Sequence, residues 1–386
     1  MEICDSKICT GCGACKQACP KHCISLIPDE MDALHPKVDE NMCVSCGKCQ
    51  KVCPNNYPLE FHSTLDVYVA WSRNDEQRRT SASGGIASEL YTYAINNGWS
   101  VYGVTFTKEA SCHFIELLSI DDIKKVKNSK YCFSNVLDTY ILIQKRLRKG
   151  ENVLFIGLPC QVAGLYSFLG KKYSNLFTVD LLCHGSTPQA YLEQHIRYVE
   201  NKTQQSANAI SFRDSSFGTE KFYFTIYNDS KRLFYKKTVL SNDNYQLGYH
   251  HALTYRDNCY NCRYARPERC SDLTIGDYYG IGKHKASAIL INSNTGKELF
   301  SAISDNLYTE LRPKGEIFRL EHQLQSPSDA HPQRSLFEKI YKKTGNFELA
   351  CDKSLKKDKK AVLREQIVRK IKALIRQILK LNVIRK

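Results

Sequence analysis

Cys9–Pro20 reads CTGCGACKQACP and Cys43–Pro54 reads CVSCGKCQKVCP. Each is C-x2-C-x2-C-x3-C-P, and the two copies begin 34 residues apart. Of the 18 cysteines in this 386-residue chain, ten fall in the first 53 positions. Such density suits either a secreted disulfide domain or a metal-binding one. The first residues, MEICDSKICTGC, lack the apolar core of a secretory signal, so a reducing, cytoplasmic setting is expected. Structural zinc sites use two separated C-x-x-C pairs per ion, which is not this arrangement of a triplet plus C-P.

The run resembles the one that holds a 4Fe–4S cubane in bacterial ferredoxins. Three cysteines at intervals of three wrap one face of a cubane, each thiolate meeting one iron. The fourth lies on the next turn of chain, points the other way and serves the other cluster. This predicts Cys9, Cys12, Cys15 and Cys53 on one centre, and Cys43, Cys46, Cys49 and Cys19 on the second. Gly11, Gly13 and Gly47 allow the backbone to approach the sulfides. Cys4 and Cys23 fall outside both runs and read as ordinary thiols. Two clusters this close form a short path for single electrons.

The rest of the chain has enough apolar material, 42% of residues, to bury a sizeable core, which excludes whole-chain disorder. No run approaches the roughly 20 apolar residues that span a bilayer. Of the net charge of +15, +11 sits between Lys353 and Lys386, so the body is not a nucleic-acid binder. Three regions are predicted: a dicluster domain over 1–59, an oxidoreductase domain over 60–351 and a basic tail over 352–386.

In the middle region, Val67–Trp71, Val101–Phe106, Val153–Ile156 and Leu176–Leu182 read as short apolar strands. Helical patterns over Ile86–Asn97, Val136–Arg148 and Tyr191–Val199 alternate with them. The alternation predicts an α/β domain with a mostly parallel sheet covered on both faces. After about residue 208 come strand-like segments, Ala209–Arg213, Lys221–Asn228 and Lys231–Leu240, with a turn at Asn228-Asp229-Ser230. Two further strands, Asp272–Tyr278 and Ser287–Asn292, and a helix near Gly296–Ile303 follow. The domain is thus expected to carry a β-rich lobe.

Chemistry-bearing residues gather at the predicted strand ends. SASGG, Ser81–Gly85, opens a predicted helix, whose free N–H groups suit a phosphate; a serine cap in a glycine turn explains it equally well. GLPCQ, Gly157–Gln161, leads a buried strand into a helix with Cys160 near its start, where a lowered thiol pKa is expected. DLLCHG brings Cys183 and His184, and Arg256–Cys270 brings Cys259, Cys262 and Cys270. Buried apolar thiols, half a zinc site and a structural histidine are the alternatives.

In order, SASGG, SKY (Ser129–Tyr131), GLPCQ, DLLCHG, SFRD (Ser211–Asp214), CYNC (Cys259–Cys262) and SDLTIGDYYG (Ser271–Gly280) resemble the β-subunit family of coenzyme F420 hydrogenases and dehydrogenases. The resemblance covers roughly residues 66 to 305. It implies bound FAD, with the flavin phosphate at Ser81, Ser83, Gly84 and Gly85 and with Lys130 and Gly157 nearby. It also implies a third 4Fe–4S cluster on Cys160, Cys183, Cys259 and Cys262, with Cys270 in reserve. Methanogen members exchange hydride with a deazaflavin; bacterial ones are often associated with polysaccharide biosynthesis. Tyr279 stands where the family often has Trp, Ser215 where a lysine commonly follows FRD, and the segment 282–286 is short. These departures lie in the lobe where substrate docks, so the substrate does not carry over.

The expected function is a flavin-dependent iron–sulfur oxidoreductase linking a redox partner, ferredoxin or reductase, to a small organic molecule. His184 is its single acid–base candidate. A relay subunit that turns over nothing by itself, and a thiol-redox enzyme using Cys160 or the Cys259–Cys262 pair, are the rivals. In the tail, Leu363, Ile367, Ile371, Leu374, Ile378 and Leu381 form one helical stripe among Arg364, Arg369, Lys372, Arg376 and Lys380. That pattern suits peripheral contact with an anionic membrane, or packing on the body.

Overall fold

The computed structural model describes residues 1–107, 111–280 and 285–384. In the cysteine repeat, each triplet loop leads into a short helix, Ala14–Ala18 or Lys48–Lys51, entered through a left-handed glycine, Gly13 (φ 76°) or Gly47 (φ 69°). Between them lies an antiparallel hairpin of β1 (Ile24–Pro28) and β2 (Leu34–Val38). This is a small α+β unit.

The middle region is an α/β domain on an eight-stranded mixed sheet. Its strands are β3 (Asp66–Ser72), β4 (Ser100–Phe106), β5 (Cys112–Leu117), β6 (Val153–Gly157) and β7 (Leu176–Leu181). A separate lobe follows, of β8 (Ala209–Ser211), β9 (Phe224–Tyr227) and β10 (Leu233–Lys237). The main sheet then resumes with β11 (Leu273–Tyr278), β12 (Ala286–Ile291) and β13 (Leu307–Leu311). The order is β13-β3-β12-β11-β7-β6-β4-β5, and the lobe runs β10-β9-β8. Only β4, β6, β7 and β11 form the parallel centre; antiparallel strands flank it on both sides. The expected mostly parallel sheet is therefore mixed.

Both faces are covered, which is why β6 and β12 are buried at every residue. On one face Leu154 and Ile156 pack with Ile86 and Leu90 of the helix Ile86–Asn96 and with Leu299 and Ile303. On the other, Val153 and Phe155 pack with Tyr140, Ile143, Val162 and Leu165. The lobe's turn spans 228–232, closed by the Arg232 N–H donating to Asn228 Oδ1 at 3.0 Å.

The N-terminal unit is tied to this body. Gln17 Oε1 accepts from the N–H groups of Tyr140 (2.9 Å) and Ile141 (3.2 Å), capping the helix Thr139–Arg148. Tyr191 donates to Met31 O at 2.9 Å and Arg263 to Pro54 O at 2.8 Å. Cys12 and Ala14 belong to the same apolar cluster as Tyr140 and Val162. Gly164, in the helix Pro159–Leu169, allows this contact, since a Cβ there would stand 2.8 Å from Cys12 Cβ.

The C-terminal helices Arg334–Thr344 and Phe347–Ser354 close the core over the helix Gln189–Thr203. Leu355 and Val362 are buried in that same core, so packed chain continues into the segment read as a tail. Gln366 donates to Leu240 O at 2.7 Å. Leu363, Ile367 and Ile371 of the helix Lys356–Ile384 are exposed. The side chains of Leu374, Arg376, Ile378, Lys380 and Leu381 lie outside the described residues. Among the described residues, no helix is long and apolar enough to cross a membrane.

Candidate functional site

Two cysteine-lined cavities occupy the N-terminal unit. Cys9, Cys12, Cys15 and Cys53 line one; Cys19, Cys43, Cys46 and Cys49 line the other. The fourth cysteine of each run thus crosses to the other triplet. The cause is local: the helix Ala14–Ala18 stops at Cys19, whose extended backbone turns its thiol away. Each cavity also holds a fifth cysteine that the spacing argument set aside. Cys4 lines the first and Cys23 the second, with Cys23 Sγ 3.4 Å from Cys19 Sγ. Hydrogen bonds from Cys4 and then His35, against burial, hold Cys9 at about 4, while burial pushes Cys12 up to about 11. Both donor sets suit cubane ligation.

A third cavity lies at the carboxyl ends of the parallel strands. Cys160 follows β6 on the first turn of the helix Pro159–Leu169, Cys183 follows β7, and Cys259 and Cys262 come from the turn Asp257–Asn261 and its end. Topology brings together residues up to 102 positions apart, and all four line one cavity with Ser186, Arg256 and Gln323. Cys270 is buried elsewhere, beside Arg269 and Asp180, and does not line it. Burial raises Cys160 well above an ordinary thiol despite the opposing charge of Arg256, and it pushes Cys183 up to about 12. The expected lowering at Cys160 is therefore overturned: desolvation outweighs the helix start. An inert buried thiol suits a cluster ligand better than a free nucleophile. His184 is exposed at the mouth, its carbonyl accepting from Ser328 at 2.7 Å.

The serine–glycine loop lies at the same sheet edge, because β3 and β11 both run antiparallel to β12. Its residues divide by role. Ser83 donates to Ala286 O (2.6 Å) and the Gly84 N–H to Ser287 Oγ (2.9 Å), stitching the loop to β12. A Cβ on Gly84 would stand 2.4 Å from Ala70 O, so that glycine serves packing. Ser81 Oγ lies 3.3 Å from Ser88 Oγ. Gly85 (φ 92°) then starts the helix without a side-chain cap, and the N–H groups of Gly85, Ile86, Ala87 and Ser88 have no partner among the described residues. Uncapped N–H groups at a buried helix start fit a phosphate.

Lys130 is committed elsewhere. Its ammonium donates to the carbonyls of Val126, Lys127 and Asn128, closing the helix Ile123–Val126. Gly157 packs beneath the Phe155 ring, 2.9 Å from where a Cβ would stand. Two other lysines reach the start of the loop: Lys127 Nζ lies 2.7 Å from Thr80 Oγ1, and Lys285 Nζ donates to Ser81 O. Sequence reasoning passed over Lys127, although it stands two residues before the SKY motif.

Comparison with known proteins adds the following. The model of the coenzyme F420 hydrogenase/dehydrogenase β-subunit N-terminal part matches residues 67–140 and that of its C terminus residues 150–316. A 4Fe–4S dicluster domain matches residues 8–57. A chain of the F420-reducing nickel–iron hydrogenase complex from Methanosarcina barkeri, solved as a xenon derivative, is 18% identical with a TM-score of 0.44, covering 69% of this chain and 90% of that one. No curated protein matches. Two parts of one family, in order, span more than half of the chain and contain all four cysteines of the third cavity, behind an iron–sulfur domain. The chain belongs to the coenzyme F420 hydrogenase/dehydrogenase β-subunit family, as an iron–sulfur electron-transfer protein with its dicluster domain in front.

Proposed function

We propose that this chain is a flavin-dependent iron–sulfur oxidoreductase exchanging electrons between a redox protein and a small organic molecule. The convergence of Cys160, Cys183, Cys259 and Cys262 on one cavity beside an uncapped helix start carries the reading. When bound, 4Fe–4S clusters supply single-electron steps and FAD links these to hydride chemistry. Cys9, Cys12, Cys15 and Cys53 would hold one ferredoxin cluster, Cys43, Cys46, Cys49 and Cys19 the other, and the strand-end cysteines a third.

The other residues position and bind. Cys46 is exposed, so the redox protein docks at the second ferredoxin cavity. Gln17, Gly164 and Tyr140 fix the first ferredoxin cavity against the helix that carries Cys160. The N–H groups of Gly85–Ser88, with Lys127, bind the flavin phosphate. His184, at the cavity mouth, holds or accepts the substrate's proton. The association of bacterial family members with polysaccharide biosynthesis makes carbohydrate precursors the first substrates to assay. The exposed stripe Leu363, Ile367 and Ile371 rests on an anionic bilayer at the cytoplasmic face.

Anaerobic iron, sulfide and flavin analysis tests the reading. About twelve irons and one FAD per chain are expected, at four irons per cubane. About eight irons without flavin would leave a two-cluster relay, and zinc without iron would refute the reading outright.

A further inference from the structure

Among the described residues four arginines are buried: Arg213, Arg256, Arg269 and Arg334. Three have carboxylate partners. Arg213 pairs with Asp277 at 2.5 Å, Arg269 with Asp180 at 3.0 Å, and Arg334 with Asp257 and Glu338, each at 2.7 Å. Arg256 is 3% exposed and has no carboxylate within 4.0 Å among the described residues. Its neighbour in sequence, Asp257, is the one that pairs with Arg334.

The contacts of Arg256 are all neutral. Nη1 donates to Thr10 O at 2.7 Å, Nε donates to Ser186 Oγ at 3.1 Å, and the guanidinium lies 3.6 Å over the Phe133 ring. A guanidinium does not lose its proton in a protein, and a buried charge without a counter-charge is strongly unfavourable. The described residues supply no such counter-charge here, so a bound group must.

The two ends of the side chain show which. Thr10 sits between Cys9 and Cys12 in the first ferredoxin loop, where a Cβ on Gly11 would stand 3.4 Å from Nη1. Ser186 and Arg256 both line the four-cysteine cavity, and Ser186 Oγ lies 3.9 Å from Cys259 Sγ. A cubane with four thiolates is an anion, and its potential responds to nearby charge and hydrogen bonding. We propose that Arg256 is the shared counter-ion of the cluster in the four-cysteine cavity and of the first ferredoxin cluster, raising the potential of the cavity cluster. It is a positioning and tuning residue that favours the more negative, reduced cluster. The proposal rests on the third cluster proposed above.

The test is an anaerobic redox titration of the holoprotein, followed by visible and paramagnetic resonance spectra, with iron counted in each sample. The cavity signal is assigned by its loss in Cys183→Ala. Arg256→Gln should keep about twelve irons while its cavity cluster titrates at a more negative potential, with the second ferredoxin cluster unmoved as internal reference. Arg256→Lys keeps the charge and should stay near the wild-type potential. An unmoved cavity potential in Arg256→Gln, or an equal shift with lysine, overturns the proposal. Should Arg256→Gln fail to fold, the lysine variant decides: an unshifted cluster supports the proposal and a shifted or lost one refutes it. About eight irons in the wild-type chain would remove the third cluster itself, before any variant is compared.

Discussion

Cys19 and Cys23 stand 3.4 Å apart in a cavity whose other thiols belong to the second triplet. Removing both, Cys19→Ala with Cys23→Ala, should destroy the cluster on Cys43, Cys46 and Cys49 and spare the first. The reduced variant should then show one ferredoxin-type resonance without coupling to a neighbour. Loss of the cluster on Cys9–Cys15 instead would refute the crossover. At the flavin site, Lys127→Ala should lower FAD occupancy and leave iron unchanged, as read by flavin release and iron assay. Gly84→Val is the poorer probe, because its clash with Ala70 O disturbs the fold itself. His195 offers a test through pH. Burial alone would lower its pKa, but Asp243 (3.2 Å) and Glu348 (2.6 Å) raise it to about 10. The folded state therefore keeps a proton that the unfolded chain releases near its ordinary value of about 6.5. This contribution is complete below about pH 6.5 and declines as the pH climbs to about 10. Denaturant unfolding at several pH values should show the decline, and His195→Gln should flatten it.

At the scale of elements, the helix Pro159–Leu169 serves two centres, with Cys160 in its first turn and Gly164 against Cys12. Gly164→Val should cost about 1–3 kcal/mol by overpacking. Rapid-mixing spectra should show slower arrival of electrons at the cavity cluster, with all clusters present. The elements also show what was legible beforehand. β6 and β12 stand out because a strand buried on both faces must be apolar throughout. β13 does not, since only Leu307 of its five residues is buried, and β5 escaped notice with it at the opposite edge. The ferredoxin cysteines could be paired from spacing because their partners are local. Cys160, Cys183, Cys259 and Cys262 could be grouped only through motifs, since the sheet order that joins them is a long-range property. Arg256 could not be found at all, because an absent carboxylate has no signature in a string.

For the whole molecule, the boundary of the body decides how the tail can be tested. A chain ending at Cys351 would lose the buried Leu355 and Val362 and should unfold at lower temperature. A chain ending after Gln366 keeps both, and also the bond from Gln366 to Leu240. The chain ending after Gln366 should retain its melting temperature, iron and flavin, yet no longer sediment with anionic vesicles. Full-length protein should bind them, release them at high salt and ignore neutral vesicles. Equal binding by both chains would exclude the tail as the anchor.

The two ferredoxin cavities also differ in shelter. Cys9, Cys12 and Cys53 are each at most 8% exposed and are covered in part by the body's own helices, whereas Cys46 faces solvent. Damage by air should therefore proceed in one direction, the outer cluster bleaching first and the inner ones surviving behind it. A preparation exposed to oxygen would keep its colour after losing its point of entry: spectroscopically half alive, and cut off from its donor.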